Sequence, residues 1–236
     1  NNFNDIDYLR KVIKNKKVTY HLEQQEDYYQ KKYVYNVYDN IWKQFNDTRF
    51  SVWNFVKQFL EDKKYMKGID IGCGNGKNMN FRNDINFYGI DNCKALVNIC
   101  KTKNLNVSLA NCLDIPFKKN SFDFSMSISV FHHLMSKEKR IEAVKEMIRV
   151  SKSGGECIFS VWSIENQDNE KKVRKFKTGD NYVNWIRKKD KEIFKRYYFI
   201  YSEKMIKDFM NIFKNNIKDL KIFNERGNWV VNFFKL

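Results

Sequence analysis

Apolar and polar stretches alternate along most of the chain in a way that predicts strands and helices following one another. Short apolar runs bounded by polar or glycine residues indicate buried strands, whereas apolar residues spaced three and four apart indicate helices. The predicted strands are Tyr65–Ile71, Phe87–Ile90, Leu105–Ala110, Phe122–Val130 and Glu156–Val161, and the predicted helices between them include Cys93–Lys103 and Lys137–Val150. Alternation of this kind favours an α/β fold with a parallel sheet and helices on both faces.

The two ends of the chain extend this pattern. Residues 24–62 predict helices with an aromatic-rich face, so we expect a helical cap that packs on the sheet. Near the carboxyl end, Glu203–Phe213 predicts a helix, and two further strands, Ile217–Phe223 and Trp229–Phe234, are expected to form a hairpin around Gly227-Asn228. No linker divides the chain, so residues 1–236 are predicted to be one domain with a seven-stranded sheet.

Residues 164–202 interrupt the alternation and are predicted to form a basic, partly mobile insertion lobe. From Lys171 to Lys207 there are 13 basic and 4 acidic residues, a net charge of +9. The whole chain carries a formal charge of +16, which favours a polyanionic partner, nucleic acid before membrane. The alternative is that the lysines reflect composition alone and form a solvated loop.

Other features of composition narrow the function classes. Hydrophobic residues make up 42% of the chain, enough for a folded core, but no apolar run approaches the roughly 18 residues of a membrane helix. The first 25 residues contain no apolar stretch that could serve as a signal peptide. Five cysteines without a C-x-x-C pair, together with three histidines, argue against a metal site and for reduced thiols. We therefore expect a protein of the cytoplasm, with the nucleus as an alternative.

Glycine is scarce, and its distribution points to a binding loop. Four of the nine glycines fall between Gly68 and Gly76, at the end of the first predicted strand. Asn75 is expected to begin a helix, and a second strand ends at Asp91, 19 residues after Gly72. A strand, a glycine turn, a helix and a second strand ending in an acid form the typical arrangement in which the acid binds ribose hydroxyls.

The acid that precedes the glycine turn changes the expected cofactor. The pattern is G-x-G-x-G, and Asp70 stands two residues before its first glycine. A pyrophosphate prefers bare backbone amides, whereas a nearby carboxylate suits a cofactor that carries a positive charge. The loop therefore favours S-adenosylmethionine over NAD.

The motifs around this loop resemble those of class I S-adenosylmethionine-dependent methyltransferases. The resemblance runs from Tyr38 to Trp162 through the segments IDIGCGNGK, YGID, ANCLDIPF, FDFSMSISVFHHL and SGGECIF. It implies a Rossmann-like seven-stranded sheet with S-adenosylmethionine as cofactor and S-adenosylhomocysteine as product. It also implies which residues bind the cofactor. The methionine end would be held by Asp70, Gly72, Cys73, Gly74 and Gly76, the ribose by Asp91, and the adenine by Asn111 and Cys112. Ser127 is a further candidate for cofactor binding.

A narrower resemblance covers the chain from about Tyr33 to its end. YDNIWKQFNDTRFSVWNFVKQFL, SISVFHH, KEKR, RYY and RGNWVV are similar to segments of the tRNA methyltransferases that esterify 5-carboxymethyluridine at the wobble position. The similarity implies a tRNA substrate, a role for Arg49 in binding the carboxylate of the cofactor, and a small zinc-ribbon activator subunit. The chain departs from the family pattern at Asn111, where Asp is usual, at Asn184, where Pro is usual, and at Phe199, where His is usual.

Four residues are candidates for holding the substrate carboxylate and its base: His132, Arg196, Tyr197 and Asn228. Each also has a structural alternative, such as a packed histidine pair or a hairpin turn. The activator is expected to cover the edge strand Leu105–Ala110, with an exposed apolar patch at Leu113, Ile115 and Phe117.

Two other functions remain open at this point. An aromatic-lined pocket would also suit a methyltransferase that acts on a small quinone-like or sterol-like molecule. The same fold can also serve as a catalytically silent module that binds RNA or protein. Salt-dependent tRNA binding separates the first function from the second, and cofactor binding separates both enzymes from the silent module.

Overall fold

The computed structural model describes residues 16–165 and 176–236 of the protein. Nine strands are formed in this part of the chain: β1 Lys67–Ile71, β2 Asn86–Asp91, β3 Val107–Leu109, β4 Phe122–Ile128, β5 Ser151–Trp162, β6 Gly179–Ile186, β7 Ile193–Ile200, β8 Ile217–Glu225 and β9 Asn228–Lys235. Its α-helices are α1 Lys16–Gln30, α2 Asn36–Thr48, α3 Asn54–Phe59, α4 Lys94–Thr102, α5 Lys137–Val150 and α6 Glu203–Asn211. A π-helical segment, Lys31–Tyr35, joins α1 to α2.

Seven strands form one sheet in the order β3-β2-β1-β4-β5-β9-β8. The first five are parallel. The β8–β9 hairpin completes the other edge, with β9 antiparallel to both β5 and β8. Two buried apolar clusters flank the sheet, one built around α5 and α6 and the other around α3 and α4. The predicted fold class is confirmed, and the near-continuous burial of β4 is typical of a parallel strand covered on both faces.

The helix predicted to begin at Asn75 does not form. After the glycine turn the chain makes only turns and a single 3₁₀ turn at Met79–Phe81 before β2 begins. The side chain of Asn78 is engaged with Asp70, and that of Asn75 donates to the backbone of Arg49. Asparagine side chains that bond elsewhere compete with a regular helix.

Strand β5 is irregular at Gly154-Gly155, because it pairs with β4 at Ser151 and again from Glu156. The predicted carboxyl-terminal turn is displaced by one residue. The carboxyl-terminal hairpin turns at Arg226-Gly227 rather than Gly227-Asn228, because Glu225 pairs with Asn228. Both turn residues have positive φ, 48° and 76°, as a two-residue hairpin requires.

The described part of the basic insertion lobe is an antiparallel pair of strands, β6 and β7. It packs against the amino-terminal helices through Tyr182, whose ring lies 4.9 Å from that of Tyr33, and through Gln44, which donates to the carbonyl of Ile186. Of the lysine cluster Lys171–Lys177, residues 171–175 fall outside the described part of the chain. Within residues 16–165 and 176–236, no helix has both the length and the apolar character needed to cross a lipid bilayer.

Candidate active site

A cavity of about 720 Å³ opens at the carboxyl ends of the parallel strands. Its floor is formed by the loops that follow β1, β2 and β4, and its other walls by α2, the segment that leads into α3, and β7. The order of strands reverses between β1 and β4, and the crevice at such a reversal is where open α/β sheets bind ligands. Its volume suits a ligand the size of a nucleoside cofactor together with part of a substrate.

The glycine turn after β1 approaches the cavity with its backbone. Gly72 and Gly76 have φ of 75° and 74°, and a Cβ atom would lie 2.5 Å from Val130 at the first position and 2.3 Å from Leu105 at the second. Neither position therefore tolerates a side chain. Gly72, Cys73 and Gly74 line the cavity, whereas Gly76 serves to pack the turn against Leu105 and Cys100.

Asp91 fixes this turn from the end of β2. The Gly74 amide donates to Oδ2 of Asp91 at 2.8 Å, and the Cys93 amide donates to Oδ1 at 2.9 Å. Burial raises the pKa of Asp91, and these backbone amides partly offset that effect. Each carboxylate oxygen keeps a second acceptor position, so Asp91 can still bind two hydroxyl groups in the cavity.

Asp70 is fully buried, and one of its carboxyl oxygens has no hydrogen-bond partner. Asn78, which lines the cavity, donates to Oδ2 of Asp70 at 3.4 Å, while Oδ1 has no hydrogen-bond partner. Burial raises the pKa of Asp70 to about 7. An unpartnered buried carboxyl oxygen of this kind suits a positively charged ligand group, which would favour the ionised form.

This raised pKa predicts a pH dependence of stability. Between about pH 4 and about pH 7 the folded protein holds a proton on Asp70 that the unfolded chain has lost. The free energy of unfolding of the ligand-free protein should therefore decrease as the pH rises through that window and become level above it. Asp70→Asn should remove this decrease in the free energy of unfolding. Measured by urea unfolding, the variant should therefore be more stable relative to wild type at pH 8 than at pH 5.

A matched control is Asp84→Asn, because Asp84 is paired with Arg82 and its pKa is lowered rather than raised. That variant should keep the wild-type slope above pH 5. Equal slopes for wild type and Asp70→Asn would show that Asp70 does not hold the extra proton.

Two cations stand at the cavity beside the glycine turn. Asn75 holds the Arg49 segment by donating to the Arg49 carbonyl at 2.9 Å and to Asn46 Oδ1 at 3.1 Å. Lys77 donates to the Ser51 carbonyl at 2.8 Å, and burial together with the nearby Arg49 lowers its pKa. Two neighbouring positive charges favour an anionic ligand group at this end of the cavity.

Another part of the cavity wall is formed by neutral side chains. Asn111 and Cys112 line it together with Tyr35. Burial raises the pKa of the Cys112 thiol and of the Tyr35 hydroxyl to about 12, so both are neutral. Oδ1 of Asn111 already accepts the Leu113 amide at 3.0 Å. A neutral, polar-edged wall of this kind suits a heteroaromatic ring.

Besides Asp70 and Gly76, three residues named from the sequence do not line the cavity wall. Ser127 is fully buried in β4 and donates to the Ile71 carbonyl at 2.9 Å. Tyr197 points to the other face of β7, where its hydroxyl donates to Asp180 Oδ1 at 2.5 Å. Asn228 donates to the carbonyls of Glu225 and Arg226 and so fixes the hairpin turn. These contacts give all three a supporting position in the structure.

His132 reaches the cavity in one defined tautomer. Its Nδ1 accepts the Trp162 amide at 3.0 Å, so its proton lies on Nε2, which is buried and has no partner. Burial, with His133 and Arg196 nearby, lowers the pKa of His132 well below its usual value. His132 is therefore a neutral donor that offers one N–H group to a ligand.

Arg196 places a buried positive charge in the same cavity. It is 4% exposed, and its guanidinium lies 4.6 Å from the Trp185 ring and 5.2 Å from the Tyr198 ring. No carboxylate of the described residues forms an ion pair with it, and its Nε has no hydrogen-bond partner. A desolvated guanidinium stacked on aromatic rings and lacking a counter-ion suits a carboxylate ligand.

Sequence reasoning missed several cavity residues: Tyr35, Tyr38, Lys77, Trp162, Tyr198 and Arg226. One signal was available for Tyr198, because residues two apart on a strand share a face and Arg196 was already a candidate. Tyr38 lay within a quoted motif but also within an aromatic stripe that predicts core packing.

The sequence and the structure were compared with known proteins. A family model described as a methyltransferase domain matches residues 69–159. A tRNA (carboxymethyluridine(34)-5-O)-methyltransferase of Schizosaccharomyces pombe is 36% identical over 165 residues, which cover 70% of this chain and 72% of that protein. The enzyme of the same name from Arabidopsis thaliana is 39% identical over 140 residues, 59% of this chain and 35% of the plant protein. Across the matched animal proteins the chain spans 22% to 34% of their length.

Solved structures agree on the fold. A SAM-dependent methyltransferase of Thermotoga maritima, described as a possible histamine N-methyltransferase, has a TM-score of 0.62 at 17% identity and covers 86% of this chain and all of its own. A methyltransferase of Haloferax volcanii, solved in complex with the Trm112 methyltransferase activator, has a TM-score of 0.56 at 15% identity and covers 86% of this chain and 98% of its own. At these identities the likeness concerns the fold alone.

Proposed function

This chain belongs to the family of tRNA (carboxymethyluridine(34)-5-O)-methyltransferases, and we propose that it methylates the carboxylate of 5-carboxymethyluridine at the wobble position of tRNA. The observation that carries the proposal is Arg196, a buried cation in the cavity that no carboxylate of the described residues neutralises. Beside it, His132 offers an unused N–H group. Together they can hold the two oxygens of one carboxylate.

The residues of the cavity fit S-adenosylmethionine as the methyl donor. The cations Arg49 and Lys77 on the cavity wall suit its carboxylate. Asp70 lies behind the wall residue Asn78, and its unpartnered buried oxygen suits the ammonium group. Asp91 has acceptor positions left for the ribose hydroxyls, and the neutral wall at Asn111, Cys112 and Tyr35 suits adenine. When bound, this cofactor supplies an activated methyl group, and S-adenosylhomocysteine is the product.

The protein's own residues need to move no proton in this reaction. A carboxylate is ionised at pH 7, so no general base is required. This agrees with His132, whose only free ring nitrogen carries a proton and therefore donates rather than accepts. Arg196 and His132 act by orientation, since fixing one carboxylate oxygen near the reacting methyl group lowers the entropic part of the barrier. The aromatic packing of Arg196 limits the number of its donors that can stabilise the ground state.

Methyl transfer to defined tRNA tests the proposal directly. The protein is incubated with S-adenosylmethionine and a tRNA carrying 5-carboxymethyluridine, and the digested nucleosides are analysed by mass spectrometry. The methyl ester should appear, and a tRNA with unmodified uridine at the same position should remain unchanged. Absence of the ester in the presence of an activator subunit would refute the proposed substrate.

The basic lobe should supply phosphate contacts in tRNA binding. Lys188, Lys189, Lys191 and Lys195 are exposed on β7 and the turn that precedes it. Reversing all four to Glu should weaken tRNA binding by about 10-fold or more at moderate salt and reduce its salt dependence, while S-adenosylhomocysteine affinity stays unchanged. The matched control reverses Lys118, Lys119, Lys214 and Lys218, which are exposed near the amino ends of β4 and β8, away from the lobe. If both variants weaken binding equally, the effect comes from net charge and not from the lobe.

An activator subunit is proposed to add to the sheet at β3. This strand forms one edge of the sheet, as the sequence predicted, and Leu109 is 53% exposed on it. The expected apolar patch beside it is wrong, because Ile115 is buried and Leu113 and Phe117 pack on the core. The surface open to a partner is therefore the backbone edge with Leu109, which invites strand addition.

Leu109→Lys should reduce co-purification with a co-expressed activator subunit and lower methyl transfer accordingly. Leu220→Lys is the matched control, since Leu220 is 41% exposed on β8, the other edge strand. Loss of the activator with Leu220→Lys instead would place the partner at the opposite edge.

A further inference from the structure

We infer that Phe50 is a stacking platform for a base next to the wobble uridine, at the mouth of the cavity. The inference rests on the proposed function and extends it from the reacting carboxylate to the neighbouring nucleotide. Phe50 is 82% exposed, the largest fraction for any large apolar side chain among the described residues, and it also lines the cavity. A ring that lines the cavity and faces solvent lies where the cavity opens.

The backbone on both sides of Phe50 is fixed, although its side chain is exposed. Phe50 lies between α2 and α3. On one side of it, Asn75 donates to the Arg49 carbonyl at 2.9 Å. On the other side, Lys77 donates to the Ser51 carbonyl at 2.8 Å, and the two residues that follow pack against the apolar cluster around α3 and α4. A ring held on such a backbone loses little conformational entropy when a base stacks on it.

Phe50 stands close to the site proposed for the substrate carboxylate. The guanidinium of its neighbour Arg49 lies 5.8 Å from the centre of the Trp185 ring, and that of Arg196 lies 4.6 Å from the same ring. Arg196 is buried in the cavity, whereas Phe50 is at its mouth. A uridine that reaches Arg196 therefore enters past the mouth, and the nucleotides bonded to it stay outside, within reach of Phe50.

The surroundings of Phe50 favour a nucleotide over a protein partner. Ser51, Asn54 and Lys57 line the cavity beside it, and all three are exposed and polar. The ring therefore does not belong to a continuous apolar patch of the kind that binds proteins. Lys57 can meet a phosphate beside the stacked base.

Stacking on a protein ring also answers a need of the reaction. Moving one base into a cavity separates it from the bases on which it stacked, and this unstacking costs free energy. An aromatic side chain can replace the lost partner, because every base has a flat π-face, and proteins bind unpaired loops of RNA in this way. Phe50 would thus stabilise the RNA in the opened form that the cavity requires.

Substitutions of Phe50 test stacking separately from apolar contact. Phe50→Ala and Phe50→Leu should each weaken binding of tRNA that carries 5-carboxymethyluridine by about 10-fold, as loss of one base–aromatic stack implies. Phe50→Trp keeps a flat ring and should retain wild-type affinity. The matched control is Tyr65→Asn, because Tyr65 is 79% exposed before β1, at the amino ends of the parallel strands, and asparagine tolerates its φ of 61°.

Salt dependence and cofactor binding are readouts that a loosened structure would not give. Because Phe50 is neutral, Phe50→Ala should lower tRNA affinity by the same factor at every salt concentration, so the slope of log affinity against log salt stays that of wild type. S-adenosylhomocysteine affinity should remain within about twofold of wild type.

RNA that lacks one base identifies the stacked partner. Anticodon stem–loops are compared in which the nucleotide before or after the wobble uridine is abasic. At one of these two positions Phe50→Ala should cost little further affinity, because the variant and the abasic site remove the same interaction.

Several outcomes would overturn the inference. It fails if Phe50→Ala keeps wild-type tRNA affinity, if Tyr65→Asn weakens binding equally, or if the effect of Phe50→Ala is undiminished with both abasic RNAs. A tenfold loss of S-adenosylhomocysteine affinity would assign Phe50 to the cofactor instead, and loss of a co-purifying activator subunit would assign it to a protein partner. Failure of wild-type protein to methylate 5-carboxymethyluridine would count against the proposed function.

Discussion

Replacing Arg196 by methionine should reduce kcat/KM for tRNA methylation by about 10²- to 10⁴-fold, because two hydrogen bonds to a charged group at about 1.5–3 kcal/mol each are lost. Methionine has a similar length and can still pack between Trp185 and Tyr198, so the lobe should stay folded. Single-turnover methyl transfer to tRNA that carries 5-carboxymethyluridine measures the effect. S-adenosylhomocysteine affinity, measured by calorimetry, should change little, because Asp70, Asp91 and Arg49 are untouched.

Two further variants define what Arg196 does. Arg196→Lys should recover only part of the activity, since an ammonium keeps the charge but lacks the planar, paired donors of guanidinium. Arg187→Met is the matched control, because Arg187 also lies in the lobe and beside an aromatic ring but pairs with Asp190 at the surface. If Arg196→Met retained more than a tenth of the wild-type kcat/KM, the substrate carboxylate would have to bind elsewhere in the cavity.

The second large effect is expected at Asp91. Asp91→Ala should weaken S-adenosylhomocysteine binding at least about 10-fold, since it removes two proposed charge-assisted hydrogen bonds to the ribose hydroxyls. The change also leaves the amides of Gly74 and Cys93 without their acceptor, which loosens the glycine turn. Calorimetry at constant pH measures the change, and methyl transfer should fall with it.

A ribose analogue separates these two causes. Wild-type protein should bind the 2′-deoxy form of S-adenosylhomocysteine more weakly than the parent compound, whereas Asp91→Ala should hardly distinguish them. Asp84→Ala is the control, because Asp84 lies two residues before β2 and its carboxylate is paired with Arg82 outside the cavity. Unchanged cofactor affinity in Asp91→Ala would exclude this placement of the ribose.

The regular elements with strong local signals were predictable from the sequence. Helix α5 spans Lys137–Val150, as the three-and-four spacing of its apolar residues predicted, and Ser136 caps it by accepting the Lys139 amide. The parallel sheet and the glycine turn after β1 were predictable for the same reason. The positive φ angles of that turn require glycine, and the turn and Asp91 lie within one short segment of the sequence. The helix expected after that turn was wrong, since Asn75 and Asn78 bond to partners outside their own turn, 26 and 8 residues earlier in the chain.

The arrangement of side chains around Arg196 could be predicted from the sequence only in part. Side chains alternate between the two faces of β7, so Arg196 and Tyr198 share one face and Tyr197 lies on the other. This division can be predicted from the sequence alone. Which face meets the cavity is decided by the packing of the lobe on the amino-terminal helices and on the segment after β4. The hydrogen bonds that join His133 to the Tyr197 carbonyl and to the Tyr38 hydroxyl span 64 and 95 residues. The sequence by itself thus determined the sheet, the cofactor turn and the residue types that the chemistry needs; only the tertiary structure decided which of them meet, because hydrogen-bond direction and burial depend on partners that the chain brings together when it folds.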